Sequence, residues 1–353
     1  MWSALQSGSS RKRTQVVAID LGARMTKGVN IIRRNDGFEL AGFATVETPT
    51  SDKGLTTDIL GELFKTITQT AADNAKLVVV VLGVGDSMLR QAELPMVPVG
   101  DMRLMLKYNS KNYLQQELPD YVFDCQILPT KESVAAEPGR GNSKCRVLVG
   151  GARREHLDFL IQAARSVSLT IEQVAPSLAA LPNAFEMALP EAFASEVSAL
   201  VDIGYKNTTI SIISGGELAL SRVVGIGGDK ITSGLSEAMG TSYEEAEGIK
   251  IGLPEEVQAP LQSLLMPLGR ELRASIDFFE HQADKTVGQI YLSGGSARSA
   301  LVVETLQSEL MVPCKLWNPL SFLRMALPPQ QMGEVEQMAP LLGVAVGAAM
   351  GTF

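Results

Sequence analysis

The sequence is poor in histidine and cysteine, and this shortage excludes several kinds of catalytic and metal site. Its 353 residues include two histidines, His156 and His281, and three cysteines, Cys125, Cys145 and Cys314, without a Cys-x-x-Cys spacing. A zinc centre or a Ser-His-Asp triad has too few parts here. Three widely separated cysteines fit a reduced compartment better than a disulfide framework.

Net positive charge is also lacking, since the formal net charge is -8. Binding to nucleic acid requires a clustered basic face that neutralises phosphates. We therefore expect no nucleic-acid partner, and small molecules or proteins are the expected partners.

Apolar runs of membrane-spanning length are absent as well. Residues 1–15 carry a basic cluster without a signal-peptide core and are expected to form a flexible leader. The stretch "APLLGVAVGAAMG" near the C-terminus is too short to span a bilayer and is expected to be a packed helix. These features predict a cytoplasmic protein without a transmembrane segment of its own.

The composition that is present is globular, with 45% hydrophobic residues, 20% charged residues and 32 glycines. The length exceeds that at which a single core stops growing, so two or more domains are expected.

One motif near the start carries chemical information. "VVAIDLGARMTKGVNII" (residues 16–32) is an apolar strand that ends in Asp-x-Gly, passes through a short polar turn to Lys27 and continues as a second apolar strand. Asp20 lies at the inner end of a buried run, where an unpaired carboxylate is costly. Its partner is either a neighbouring donor or a cation with its waters.

The same pattern recurs in "SALVDIGYKNTTISIISGGELALSR" (residues 198–222). Placing Asp20 on Asp202 also places Gly22 on Gly204 and Thr26 on Thr208. Two copies of one unit predict two related half-domains that face each other.

Two such turns on opposite sides of a cleft suit a polyphosphate. Glycine beside a buried strand end lets backbone N–H groups approach an anion. The paired acids would hold Mg²⁺ through its waters, because this ion uses one or two carboxylates and keeps several waters. Lys27 would add a positive charge at the phosphates.

A third motif is "IYLSGGSARSALVVETLQSEL", in which a strand leads through Ser293-Gly294-Gly295-Ser296 into a helix that starts near Ala300. This geometry is typical of nucleotide approach, although a plain tight turn has the same composition.

The remaining pattern predicts an α/β protein. Residues 16–21, 28–33 and 38–46 predict an antiparallel meander, and "KLVVVVLG" predicts a strand buried on both faces. The helix "TTDILGELFKTITQTAADN" has Thr56 or Thr57 available as its cap. Strands and helices alternate within residues 85–173, which predicts an inserted module with an exposed loop at "EPGRGNS".

The order of these motifs resembles the actin-like ATPase superfamily, and several segments resemble the PilM family of type IV pilus assembly. These segments are "LALSRVVGIGGDKIT", "SYEEAEGIK", "RELRASIDFFEHQ" and "VLVGGARREHLDFLIQAARSVSLTIEQVAPSLAAL". The resemblance implies an actin-like ATPase fold with two related lobes and an inserted subdomain shared with FtsA. The implied ranges are a leader at 1–15, a first lobe at 16–84, 174–199 and 319–353, an inserted subdomain at 85–173 and a second lobe at 200–318.

The resemblance also implies the site residues for ATP and Mg²⁺. The first phosphate element would be Asp20, Gly22, Ala23, Arg24 and Lys27, and the second would be Asp202, Gly204, Tyr205 and Thr208. Gly227 and Gly228 would lie near the phosphates, Glu247 and Lys250 near the ribose or base, and Gly294, Gly295 and Ser296 at the adenosine. Asp20 and Asp202 would hold Mg²⁺ through water.

The sequence departs from the family pattern in both phosphate turns. Arg24 stands where a serine is usual and Met25 where a small residue is usual, so Arg24 either neutralises phosphate or fills the site. Tyr205, Lys206 and Asn207 stand in the second turn, where small or hydroxyl residues are common. Because no residue is recognisable as a base that orients an attacking water, we expect ATP binding with weak or absent hydrolysis.

The function implied by the resemblance is that of an adaptor in type IV pilus assembly or a related secretion machine. It would bind the N-terminal cytoplasmic segment of a PilN-like protein in a groove between the inserted module and the first domain, at the inner face of the inner membrane. Two alternatives stay open. A small-molecule kinase would need a carboxylate base besides Asp20 and Asp202, and an FtsA-like protein would self-associate into filaments.

Overall fold

The computed structural model describes residues 13–49, 55–128, 144–252 and 257–353. The strands in these ranges are β1 (Gln15–Asp20), β2 (Met25–Arg34), β3 (Gly37–Glu47), β4 (Leu77–Leu82), β5 (Ser87–Pro95), β6 (Tyr121–Ile127), β7 (Lys144–Arg153), β8 (Thr170–Pro176), β9 (Val197–Ile203), β10 (Thr208–Ser214), β11 (Glu217–Val224), β12 (Gln289–Ser293), β13 (Cys314–Leu316) and β14 (Leu323–Met325).

The helices in the described ranges are α1 (Thr57–Ala71), α2 (Val99–Leu114), α3 (Arg154–Ser166), α4 (Ser177–Ala188), α5 (Pro190–Ser195), α6 (Gly228–Met239), α7 (Tyr243–Gly252), α8 (Gln258–Ala283), α9 (Ala300–Leu310) and α10 (Met332–Met350). Thr56 caps α1 by accepting a hydrogen bond of 3.3 Å from the backbone N–H of Ile59. None of the helices in this described part is both long and apolar enough to cross a membrane.

The first sheet has six strands in the order β14-β3-β2-β1-β4-β8. Strands β1, β2 and β3 form the predicted antiparallel meander. Strand β4 runs parallel to both β1 and β8, and its residues Val78 to Leu82 are buried, which confirms the strand predicted from the continuous apolar run. One face of this sheet packs on α1 and α3, and the other packs on α4 and α10.

The second sheet has five strands in the order β11-β10-β9-β12-β13. Its strands β9, β10 and β11 repeat the antiparallel meander of β1, β2 and β3, as the sequence repeat predicts. Buried side chains of α6, α8 and α9 form its core.

Helices α4 and α10 connect the two lobes. Their apolar side chains join one core with Leu200, Ile213 and Tyr291 of the second sheet. Gly347 permits the close packing of the two helices, since a Cβ at this position would lie 1.8 Å from the carbonyl oxygen of Ala180. The apolar stretch near the C-terminus is therefore a packed helix, as predicted.

A third sheet lies within the predicted inserted subdomain. Its order is β5-β7-β6, and it packs with α2 around Leu94, Met102, Leu106 and Phe123. Helix α3 and strand β8 also fall within residues 85–173, but α3 packs on α1 and β8 pairs with β4 of the first sheet. The domain boundaries remain a prediction.

Two predictions concern residues that are described only in part or not at all. Within the predicted leader, Arg13 donates a hydrogen bond of 3.2 Å to the carbonyl oxygen of Thr352, and Gln15 begins β1. Residues 1–12 lie outside the described ranges, as does the predicted loop "EPGRGNS".

Candidate functional site

The first hairpin places an acid and a base opposite each other on adjacent strands. Asp20 ends β1, and Lys27 faces it in the register of β2. The Lys27 Nζ donates a hydrogen bond of 2.7 Å to Asp20 Oδ2; Asp20 is buried and Lys27 is half-buried. The structure thus identifies a neighbouring donor as the partner of this carboxylate, and the pair stands at the mouth of the turn.

Glycine at position 22 allows the turn to close. A Cβ at Gly22 would lie 2.3 Å from the carbonyl oxygen of Met25 and 2.7 Å from Lys27 Nζ. The hydroxyl of Thr48 donates a hydrogen bond of 2.6 Å to the Gly22 carbonyl. The turn is therefore tight and is held against the end of β3.

The second hairpin is joined to the glycine-rich turn that follows β12. The Ser293 hydroxyl donates a hydrogen bond of 2.8 Å to Asp202 Oδ1. Gly294 has φ +91°, and a Cβ there would lie 2.3 Å from the carbonyl oxygen of Ile203. Two of the predicted nucleotide elements thus form one unit.

The two hairpins lie close enough for the charges of one to act on the acid of the other. Burial raises the pKa of Asp202 above its ordinary value, the Ser293 hydrogen bond and the Lys27 charge lower it, and the Asp20 charge raises it. Lys27 and Asp20 belong to the first hairpin, so the two acidic turns lie within electrostatic reach of one another.

Arg24 crosses between the lobes at this point. Its guanidinium carbon lies 5.6 Å from the ring centroid of Tyr205 and 5.4 Å from that of Tyr243. Its Nη1 lies 3.8 Å from Glu247 Oε2. Arg24 therefore contacts the second hairpin and α7 at once.

A polar network in the second lobe continues from Glu247. Glu247 Oε2 accepts hydrogen bonds from Thr232 Oγ1 at 2.6 Å and from Lys250 Nζ at 2.8 Å. Lys250 Nζ also donates to Thr232 Oγ1 at 2.8 Å and to Ser296 Oγ at 3.3 Å. The network links α6, α7 and the glycine-rich turn.

The charges in this network are set by burial and pairing. Burial opposes the charged form of Glu247, but the Lys250 ammonium and the hydrogen bonds from Lys250 and Thr232 hold the Glu247 pKa below its ordinary value. Burial lowers the pKa of Lys250, whose side chain is 1% exposed. The charge of each partner therefore offsets part of the cost of burying the other.

Gly227 and Gly228 bring the start of α6 against the second hairpin. The Gly228 N–H donates a hydrogen bond of 2.8 Å to the Gly204 carbonyl. A Cβ on Gly228 would lie 2.5 Å from Ser296 Oγ, and one on Gly227 would lie 2.3 Å from the Tyr205 carbonyl oxygen. The N-terminus of this helix, where backbone N–H groups favour anions, therefore adjoins the hairpin.

The structure brings most of the predicted site residues together. The connected groups are Asp20, Gly22, Arg24 and Lys27 of the first hairpin, Asp202, Gly204 and Tyr205 of the second, and Gly227, Gly228, Glu247, Lys250, Gly294 and Ser296 around them. Ala23 is exposed in the first turn, Gly295 lies in the glycine-rich turn, and Thr208 Oγ1 donates to the Ile226 carbonyl at 2.6 Å.

Sequence reasoning missed Thr232 and Tyr243. Thr232 lies four residues after Gly228 on α6, and Tyr243 lies four residues before Glu247 on α7. Side chains four residues apart share a helix face, so this spacing is a signal that identifies both. Thr48 has no comparable signal.

Comparison with known proteins bears on the whole chain. The family model described as type IV pilus assembly protein PilM matches residues 18–353. Among solved structures, the PilM-PilN type IV pilus biogenesis complex aligns with a TM-score of 0.80 at 21% identity, covering 97% of this chain and 99% of that chain.

Two further solved structures share the fold. The ethanolamine utilization protein EutJ from Carboxydothermus hydrogenoformans has a TM-score of 0.52 at 15% identity, covering 97% of this chain and 91% of its own. MreB 5 of Spiroplasma citri bound to AMPPNP has a TM-score of 0.51 at 12% identity, covering 95% of each chain. The predicted α/β actin-like ATPase fold is confirmed.

A curated relative matches over a short segment. The cell division protein FtsA of Bacillus subtilis (strain 168) is 46% identical over 52 residues. This match spans 15% of the chain and 12% of the length of that relative.

Proposed function

The chain belongs to the family of the type IV pilus assembly protein PilM, and from this premise we propose that it is an ATP- and Mg²⁺-binding adaptor for a PilN-like inner-membrane protein. It acts on the cytoplasmic side and reaches the inner face of the membrane through that partner. The observation that carries the proposal is the proximity of the two acidic hairpins, since Arg24 of the first lies 5.6 Å from the Tyr205 ring of the second.

The nucleotide occupies the cleft between the hairpins. Lys27 and the N-terminus of α6 supply positive charge toward the phosphates, and Gly22 and Gly204 let the backbone approach them. Lys250 and Ser296, which share a hydrogen bond of 3.3 Å, would lie toward the ribose and adenosine.

The residues present fit Mg²⁺. Asp20 and Asp202 supply two carboxylates from opposite lobes, and Mg²⁺ is commonly held by one or two carboxylates, by phosphate oxygens and by its own waters. Burial disfavours the ionised form of Asp202, and a cation offsets that cost. Mg²⁺ held there would neutralise phosphate charge.

A separate cleft suits the partner segment. It has a volume of about 270 Å³ and lies between the inserted sheet and the second lobe. Its apolar lining comes from Leu89, Leu148, Leu218, Ala219 and Leu220. The sequence resemblance implies a groove between the inserted module and the first domain, whereas the second wall of this cleft is β11 of the second lobe.

Both walls of this cleft are edge strands. Among the described strands, β5 pairs with β7 alone and β11 with β10 alone. Edge strands offer unpaired backbone groups to an extended peptide, and apolar pockets between them accept alternate side chains. An extended N-terminal segment of a membrane protein fits this chemistry.

A titration of nucleotide with and without Mg²⁺ tests the proposal. We expect saturable binding that requires Mg²⁺ in the natural chain and a loss of at least tenfold in affinity in Asp202→Ala. Equal binding by both chains, or no binding by either, contradicts the nucleotide part. Retention of a PilN-like N-terminal peptide at micromolar concentration tests the adaptor part separately.

A further inference from the structure

The backbone of Arg24 is fixed to the first lobe, and its side chain extends to the second lobe. Its carbonyl accepts a hydrogen bond of 2.8 Å from the backbone N–H of Thr48, which follows β3. The turn is therefore fixed to the first sheet, and the side chain extends from a defined base across the cleft. Its side chain remains 36% exposed.

On the second lobe, Arg24 contacts two tyrosines and a neighbouring acid. Tyr205 stands in the turn of the second hairpin, and Tyr243 begins α7. Both ring centroids lie within 6 Å of the Arg24 guanidinium carbon, which is the range of cation–π attraction. We refer to Tyr205 and Tyr243 as the tyrosine pair.

The ion pair from Arg24 is longer than the contacts of Glu247 Oε2 with Thr232 and Lys250. Arg24 stands 3.8 Å away, whereas Thr232 and Lys250 hold the same oxygen at 2.6 and 2.8 Å. Glu247 thus retains two close partners when Arg24 leaves. Hydrogen bonds to a phosphate would be stronger for Arg24 than this long ion pair, because a guanidinium forms short, bidentate, charge-assisted bonds with phosphate.

We propose that Arg24 is an exchangeable latch, which joins the first hairpin to the tyrosine pair and Glu247 in the nucleotide-free protein and moves to the phosphates when a nucleotide binds. The exchange rests on the function proposed above, whereas the nucleotide-free contact stands on the geometry alone. The latch places the turn of one phosphate hairpin in direct contact with the other lobe, so nucleotide binding and lobe contact compete for the same side chain.

A double-mutant cycle with Arg24→Ala and Tyr243→Leu tests the latch. Chemical denaturation of the two single variants, the double variant and the natural chain gives their coupling. Without nucleotide we expect a coupling of about fivefold in the unfolding equilibrium constant, within the range for residues in contact. With Mg²⁺ and a non-hydrolysable ATP analogue present, this coupling falls to within about twofold of none, which is the scatter of independent sites.

Two control variants sharpen the result. Tyr243→Phe keeps the ring and should retain the coupling with Arg24. Lys206→Ala removes another cation that lies 5.0 Å from the Tyr205 ring centroid but belongs to the same lobe. Its coupling to Tyr243 should not depend on nucleotide.

The outcomes of this cycle test the nucleotide-free latch and its exchange separately. No coupling without nucleotide overturns the latch, and coupling that persists with bound nucleotide overturns the exchange. If the natural chain binds no nucleotide, the proposed function and the exchange both fall, while the nucleotide-free cycle still decides whether Arg24 joins the lobes.

Discussion

Ser293 donates a hydrogen bond of 2.8 Å to Asp202, which fixes the glycine-rich turn to the second acidic hairpin. The acid is half-buried, and burial raises its pKa. An ionised carboxylate at this position lowers the free energy of unfolding, and a nearby cation offsets that loss.

Asp202→Asn should stabilise the protein in the absence of ligand. When folding raises the pKa of a carboxyl, its protonated form stabilises the folded state, and this stabilisation is complete below the pKa of the unfolded chain. The stabilisation is lost as the pH rises through the pKa of the folded protein. At pH 7 the neutral amide, which still accepts from Ser293, should therefore raise the free energy of unfolding by about 1 kcal/mol. Thermal denaturation should show a Tm increase of about 2–4 °C.

The pH dependence of that difference provides the control. The advantage of Asp202→Asn should shrink as the pH approaches 3.8, the ordinary pKa of an aspartate. If the variant is less stable than the natural chain at pH 7, the prediction is contradicted. Ionised Asp202 would then have a partner whose stabilising effect exceeds the cost of burial.

Lys27→Met should strongly destabilise the first hairpin. It leaves the Asp20 carboxylate buried without its partner, and breaking a buried pair in this way costs about 3–5 kcal/mol. Adding Asp20→Asn should restore most of the loss, because the charge itself is removed. Urea denaturation of the three chains measures both effects.

Lys206→Met is the matched control for that pair. Lys206 donates to Asp229 at 2.8 Å, but its side chain is 58% exposed. Exposed pairs contribute about 0–1 kcal/mol, so the loss should be correspondingly small. Equal losses in the two lysine variants would contradict the role of burial at Asp20.

Gln91→Trp should block the cleft proposed for the partner segment. Gln91 is an exposed residue of β5 that lines the cleft and donates a hydrogen bond to the Leu218 carbonyl across it. We expect at least a tenfold loss in affinity for a PilN-like N-terminal peptide, measured by fluorescence anisotropy.

Glu93→Trp is the control on the same strand. Glu93 lies two residues beyond Gln91, on the same face of β5, and is exposed but not part of the cleft lining. Its peptide affinity should match that of the natural chain. Equal losses in both variants, or none in either, would contradict binding in this cleft.

The sequence predicts those parts of the molecule that repeat or alternate locally. Asp20 and Asp202 each follow an apolar run and precede a glycine by two residues, so the two hairpins are recognisable without coordinates. The meander and the cap at Thr56 depend on turn and cap residues within a few positions.

Contacts across long chain separations were not predictable. Arg24 and Tyr243 are far apart in the chain, and no periodicity relates a turn residue to the start of a distant helix. Likewise, the sequence pattern of α3 does not reveal that its apolar face packs on α1 of the first sheet. Such pairings are decided by how complete elements pack, and this information is not local.

Hydrogen exchange tests the central claim most directly, because it reports on both hairpins in one experiment. If the turns at residues 20–25 and 202–208 grip the same ligand, Mg²⁺ with a non-hydrolysable ATP analogue should slow amide exchange in both turns over the same concentration range. Protection of one turn alone, or of neither, would contradict a polyphosphate held between the two lobes.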